Sequence, residues 1–109
     1  QNFPTLPVVI AHPGSGDTAR ERIALLQKYP NAYLDLSGGG ILGNGILRAI
    51  LNAAGKERLL FGTDYPVCNP SCYLYGVLGA KLQPEENRAI FHDNFLALTG
   101  WQLPRHKAQ

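Results

Sequence analysis

Two short apolar runs in this sequence each lead into a side chain that can bind a metal or move a proton. Pro7-Val8-Val9-Ile10-Ala11 runs into His12, and Arg58-Leu59-Leu60-Phe61 runs through Gly62-Thr63 into Asp64. Each run is too short for a helix, and a proline follows the polar residue within two positions. Both therefore read as strands that stop where the polar residue begins. The carboxyl end of such a strand is where open-sheet and barrel α/β proteins place their chemistry. A neutral imidazole at His12 can ligate a metal or polarise a carbonyl. A carboxylate at Asp64 can ligate a divalent metal and also take a proton from water. The plainer readings are a hydrogen-bonded structural histidine and a carboxylate that caps the following loop.

Other polar residues are weaker candidates. Asp35 lies within the apolar run Ala32-Tyr33-Leu34-Asp35-Leu36, so it points to the opposite side of the pleat from Leu34 and Leu36. A buried Asp needs partners, and structural pairing explains it as well as catalysis does. It stays outside the core site. Ser37, at the end of that strand, is a weak candidate for a substrate hydrogen bond. Gly38-Gly39-Gly40-Ile41-Leu42-Gly43 satisfies G-x-G-x-x-G between a strand and a helix, with Asp64 at roughly the distance of a ribose-binding acid. A nucleotide-binding module is therefore the alternative reading, although a glycine triplet matches that pattern easily. Cys68 and Cys72 lack the two-residue gap of common zinc and redox motifs, so they read as reduced, non-ligating thiols near the loop after Asp64.

The elements that must position these residues alternate strand and helix three times. The first helix is expected from Thr18, with Glu21 completing a capping box and Ala19, Ile23 and Leu26 forming its stripe. Leu47, Ile50, Leu51 and Ala54 mark the second helix, which Gly55 stops. A short helix is expected over Tyr73–Ala80. Pro84, Glu85 and Glu86 open the last helix, with Phe91, Asn94, Phe95 and Leu98 on its buried face and Gly100 at its end. This alternation predicts a parallel sheet with right-handed crossovers. Three strands cannot close a barrel, which takes about 250 residues. At 109 residues the chain is a small open sheet or the last three units of a barrel.

Composition narrows the class. With 45% apolar and 17% charged residues the chain is ordinary globular protein. A net charge of +2 with scattered cations gives no case for nucleic acid. No apolar run approaches the roughly 20 residues of a membrane helix, and no signal segment stands at the start, so a cytosolic setting is expected. Residues 102–109, with Arg105-His106-Lys107, read as a solvated tail. The sequence begins at Gln1 and contains no methionine, which points to a fragment or a processed piece.

Taken together, these segments resemble the metal-dependent amidohydrolase superfamily, and within it the group of aminocarboxymuconate-semialdehyde decarboxylase and pyrone-dicarboxylate lactonase. Asn2 to Gly14 is similar to that group's lead-in and sixth strand, ending in His-x-Gly. Asn31 to Ser37 is similar to its seventh strand, and Arg58-Leu-Leu-Phe-Gly-Thr-Asp-Tyr-Pro66 to its eighth. Ile90 and Asn94 are similar to its closing helix. The resemblance implies strands six to eight of a (β/α)8 barrel with one divalent metal at its top, zinc first, manganese or iron next. It implies Asp64 as metal ligand and base, and His12 as ligand or as the group that orients water and substrate. The family's first-strand His-x-His and fifth-strand His have no counterpart here, since His92 falls mid-helix and His106 in the tail. The implied activity is hydrolysis of a C–N or C–O bond, or decarboxylation, of a small organic acid. The remainder of the barrel is needed for it, and a homo-oligomer is compatible with it; a non-catalytic remnant that keeps the fold's segments is the third reading.

Overall fold

The computed structural model describes residues 2–102 and Pro104. Most of the expected tail, residues 103 and 105–109, lies outside the described residues. Three parallel strands form one sheet in the order β1 (Val8–Ile10), β2 (Ala32–Asp35), β3 (Leu59–Leu60). Val8 pairs with Ala32 and Ile10 with Leu34, while Leu34 pairs with Leu59 and Asp35 with Leu60. The helix α1 (Gly16–Lys28) joins β1 to β2, and α2 (Ile46–Ala54) joins β2 to β3. After β3 come α3 (Pro70–Gly79) and a continuous helical run made of α4 (Pro84–Arg88), a π turn (Ala89–Asp93) and α5 (Asn94–Thr99). Leu34, Leu36, Leu59, Ile50 and Val77 meet in the core with almost no exposure.

The first strand is apolar yet uncovered. Val8 and Val9 are each 47% exposed, because β1 is the outer strand and only β2 pairs with it among the described residues. The first helix begins at Gly16 rather than Thr18. Gly14 and Gly16 have φ of 68° and 56°, which turn the chain into the helix two residues early. Thr18 is thus interior to the helix, and the expected capping box with Glu21 does not form. Helix α3 also starts earlier than expected. Asn69 accepts from the Ser71 N–H at 3.0 Å, and Pro70 occupies the first position, where its missing N–H costs nothing. Gly76 fits inside α3 because a side chain there would press on Leu42 and Ile41.

The closing helix departs most from a regular 3.6-residue pattern. The Asn94 N–H bonds the Ala89 carbonyl five residues back, which defines the π turn. The Ile90 carbonyl it would otherwise have used accepts from Phe61 N–H at 3.2 Å. This bond ends β3 at Leu60, one residue short of the expected Phe61. On the helical run, Asn94 is 7% exposed as expected for its buried face, whereas Phe95, expected inside, is 50% exposed. Buried Asn94 donates through Nδ2 to the carbonyls of Lys56, at 2.5 Å, and Leu59, at 2.7 Å.

Two side-chain ties hold the far side of the fold. Arg58 donates to the carbonyls of Ala32, Tyr29 and Leu26, bracing the end of α1 against the start of β2. Arg48 on α2 forks onto Glu86 at the start of α4, with bonds of 2.8 and 3.0 Å, and Glu86 also accepts from the Gln83 N–H. The Arg48 bonds first, and the Gln83 N–H next, hold the Glu86 carboxyl below its ordinary value of 4.5.

Two outcomes follow from these ties. Asn94→Ala strands two buried carbonyls and should destabilise the fold by about 2–4 kcal/mol in urea unfolding; a loss under about 0.5 kcal/mol would show that the amide is dispensable. Because the folded-state value of Glu86 is depressed, its contribution is complete above pH 4.5 and is lost as pH falls through the folded value. Glu86→Gln should therefore flatten the acid limb of the stability curve below that pH, and an unchanged limb would contradict the assignment.

Candidate active site

Parallel pairing puts the carboxyl ends of all three strands at one edge, so the residues after β1, β2 and β3 converge there. His12 follows β1, Ser37 follows β2 and Asp64 follows β3, with β2 between the other two strands. This is the edge at which His12 and Asp64 were expected. Both residues have left-handed backbone, with φ of 65° at His12 and 56° at Asp64, and Lys81 is the third such non-glycine residue. Left-handed backbone costs an L-residue roughly 1–2 kcal/mol, and such strain gathers at functional positions.

The side chain that organises the edge is Asp35, which sequence reasoning left outside the core site. Asp35 and Ser37 are two residues apart and share the face of β2 opposite the fully buried Leu34 and Leu36. The Asp35 carboxylate accepts from the Ser37 N–H at 3.2 Å through Oδ1 and from the Ser37 hydroxyl through Oδ2. The Ser37 Oγ lies 3.1 Å from His12 Nδ1. From Nδ1 to Asp35 Oδ2 the distance is 3.8 Å, too long for a direct hydrogen bond. The hydroxyl therefore links carboxylate and imidazole. Ser37 is 4% exposed, whereas the His12 side chain is 44% exposed and reaches open space.

Glycines make the room. A Cβ at Gly62 would run into Asp35 Oδ1, and one at Gly38 would run into the His12 ring. Gly40 leaves the space taken by Pro13 and the Gly14 backbone. The spacing that spells G-x-G-x-x-G is thus used for packing the second loop against the first. A 3-10 turn, Gly40–Leu42, interrupts the motif before α2 begins at Ile46, whereas a phosphate-binding loop runs directly into its helix.

Asp64 is exposed, and its carbonyl accepts from the Cys68 N–H at 3.1 Å, which folds the loop back. Among the described residues no hydrogen bond or ion pair engages its carboxylate. Beneath the loop, Tyr73 is 3% exposed. The Cys68 thiol bonded to it, and then its burial, hold its hydroxyl above the ordinary tyrosine value, with the Asp64 charge adding to the effect. Both cysteines are free, Cys68 half-buried and Cys72 exposed. Among the described residues no cluster of three or more His, Cys, Asp or Glu stands ready to hold a metal. Catalytic zinc uses about three protein ligands plus water. The donors at this edge suit a divalent cation in kind, imidazole and carboxylate, but they form part of a ligand set.

A family model described as amidohydrolase matches residues 1–98. No curated protein sequence matches the chain. Among solved structures, an amidohydrolase 2 from Bifidobacterium longum subsp. infantis superimposes with TM-score 0.68 at 22% identity, over 89% of this chain and 41% of that one. An amidohydrolase from Burkholderia multivorans, solved once with HEPES and once with zinc, superimposes with TM-score 0.65 at 25% identity, over 89% of this chain and 45% of that one. The chain thus spans less than half the length of these solved structures.

Clearance at the strand ends is testable by adding a methyl group. Gly62 has no left-handed φ, so Gly62→Ala isolates the contact with Asp35 and should cost about 1–3 kcal/mol by overpacking. Gly39→Ala meets nothing within 4 Å and should show only the backbone penalty of φ 91°. Thermal unfolding compares them, and an undamaged Gly62→Ala variant would mean that the carboxylate is not held against β3.

Proposed function

The chain belongs to the amidohydrolase family, and from that premise we propose that it forms the carboxyl-terminal part of a metal-dependent enzyme, contributing strands six to eight of a (β/α)8 barrel. The observation that carries this reading is the placement of His12 and Asp64 at one carboxyl edge, on the strands flanking β2, both in left-handed backbone. Residues 1–109 act as one partial barrel domain, and the missing ligands come from the rest of the barrel. The chain alone should then be inactive. The group around aminocarboxymuconate-semialdehyde decarboxylase and pyrone-dicarboxylate lactonase is the branch we favour within the family. A cytosolic setting is part of the same proposal; among the described residues no helix is long and apolar enough to cross a membrane.

A divalent metal, zinc first in view of the zinc-bound neighbour, with manganese or iron as alternatives, supplies Lewis-acid polarisation when bound. His12 and Asp64 would hold it together with ligands from the missing strands. The Asp64 carboxylate accepts a proton from the attacking water and returns it to the leaving group. With Nδ1 engaged by Ser37, Nε2 is the His12 nitrogen left to bind the metal or to orient the substrate carbonyl. The substrate is a small organic acid, and the bond broken is C–N or C–O. Decarboxylation is the second reading, carried by the resemblance to the group that contains aminocarboxymuconate-semialdehyde decarboxylase.

Asp64→Asn keeps side-chain volume and removes the base. In the intact enzyme, turnover of small lactones, amides or carboxylic acids should fall at least about a hundredfold with the fold intact. Cys68→Ser should alter substrate affinity at most. Near-normal turnover in Asp64→Asn would remove this carboxylate from the mechanism.

A further inference from the structure

The Asp35–Ser37–His12 chain contains too few protons to be arranged freely. An ionised carboxylate only accepts hydrogen bonds. The Ser37 hydroxyl has one proton, and the geometry directs it to Asp35 Oδ2. The Ser37 Oγ can then only accept from its other neighbour, His12 Nδ1, at 3.1 Å. A neutral imidazole has a single N–H, so that proton sits on Nδ1 and Nε2 keeps a bare lone pair.

We propose that Asp35 and Ser37 are positioning residues that lock His12 in its Nδ1–H tautomer and aim the Nε2 lone pair at the open carboxyl edge. Three further features hold the arrangement. The Ser37 N–H turns the Asp35 carboxylate by bonding Oδ1 at 3.2 Å. Gly62 admits that carboxylate against β3, and Gly38 admits the imidazole against the loop after β2. Ser37 is 4% exposed, so water does not compete for its hydroxyl. Neither Asp35 nor Ser37 touches the reacting atoms; they act through His12. The role rests on the reading of His12 as a site residue, and it explains why a half-buried acid lies on an otherwise apolar strand. With Nδ1 held by Ser37, a bare Nε2 lone pair is what a metal, or an incoming proton, requires of this ring, and a proton already on Nε2 would close that route.

The test is nitrogen NMR of the intact enzyme labelled with 15N-histidine, at a pH where the ring is neutral, with His12 assigned by loss of its signals in His12→Gln. We expect His12 Nδ1 to resonate as protonated and Nε2 as unprotonated. Ser37→Ala and Asp35→Asn should both return the ring to a mixture of tautomers, and Ser37→Thr, which keeps the hydroxyl, should preserve the single form. A merely structural role would lower stability without moving these shifts. If Ser37→Ala fails to fold, the wild-type and Ser37→Thr spectra still decide. A proton on Nε2 in the wild type, or a Ser37→Ala spectrum identical to it, would overturn the positioning role and leave the proposed activity standing. The expected spectra together with full turnover in His12→Gln would instead remove His12 from the site, and the positioning role would fall with that reading.

Discussion

Parallel strands cannot be joined by tight turns, so each return passes through a helix, and every strand ends at the same edge. That constraint sorts the polar residues of this chain. The edge where strands end gathers His12, Ser37 and Asp64, each past the last residue of its strand. The edge where strands begin gathers ties between backbone carbonyls and fixed donors: Arg58 beneath the end of α1, and Asn94 against Lys56 and Leu59. The first set is exposed or linked by single protons; the second is buried and satisfied. Barrel enzymes divide chemistry and stability between their two faces in the same way, and three units are enough to show the division.

Within the carboxyl edge, one carboxylate carries more than its position suggests. Asp35 sits where a core side chain would be expected, and its presence there requires Gly62 on one side and Ser37 on the other. Burying a polar group without partners costs more than the group returns. The strand therefore invests its last turn of pleat in satisfying Asp35, and the reach of that network extends to the exposed His12 ring.

Much of this was legible in the residue order. His12 and Asp64 could be placed because an apolar run, a polar residue and a proline mark a strand end without any tertiary information. The pleat rule also put Asp35 away from Leu34 and Leu36. Its link to His12 was not legible, because it runs through the Ser37 hydroxyl, which meets a ring 25 residues away only in the register that β1 and β2 adopt. The work of the glycines was hidden for a related reason: in sequence Gly38 reads as part of a G-x-G-x-x-G pattern and Gly62 as the end of an apolar run, and only packing shows that they face an imidazole and a carboxylate. The early start of α1 was missed because left-handed glycines, rather than a capping side chain, begin it.

The π turn gives the closing helix a phase as well as a length. In an α-helix each residue advances the chain by about 100°, so one added residue re-aims everything beyond it. Here the wide turn takes up one residue between the Ala89 carbonyl and the Asn94 N–H, and frees the Ile90 carbonyl to hold Phe61. Removing one residue from Ala89–Asp93 would close the wide turn: Asn94 would reach Ala89 across an ordinary four-residue span, and the Ile90 carbonyl would return to the helix ladder and leave Phe61. A gap of one residue in this segment is therefore not a neutral shortening; it removes the backbone bond that holds the end of the strand leading to Asp64.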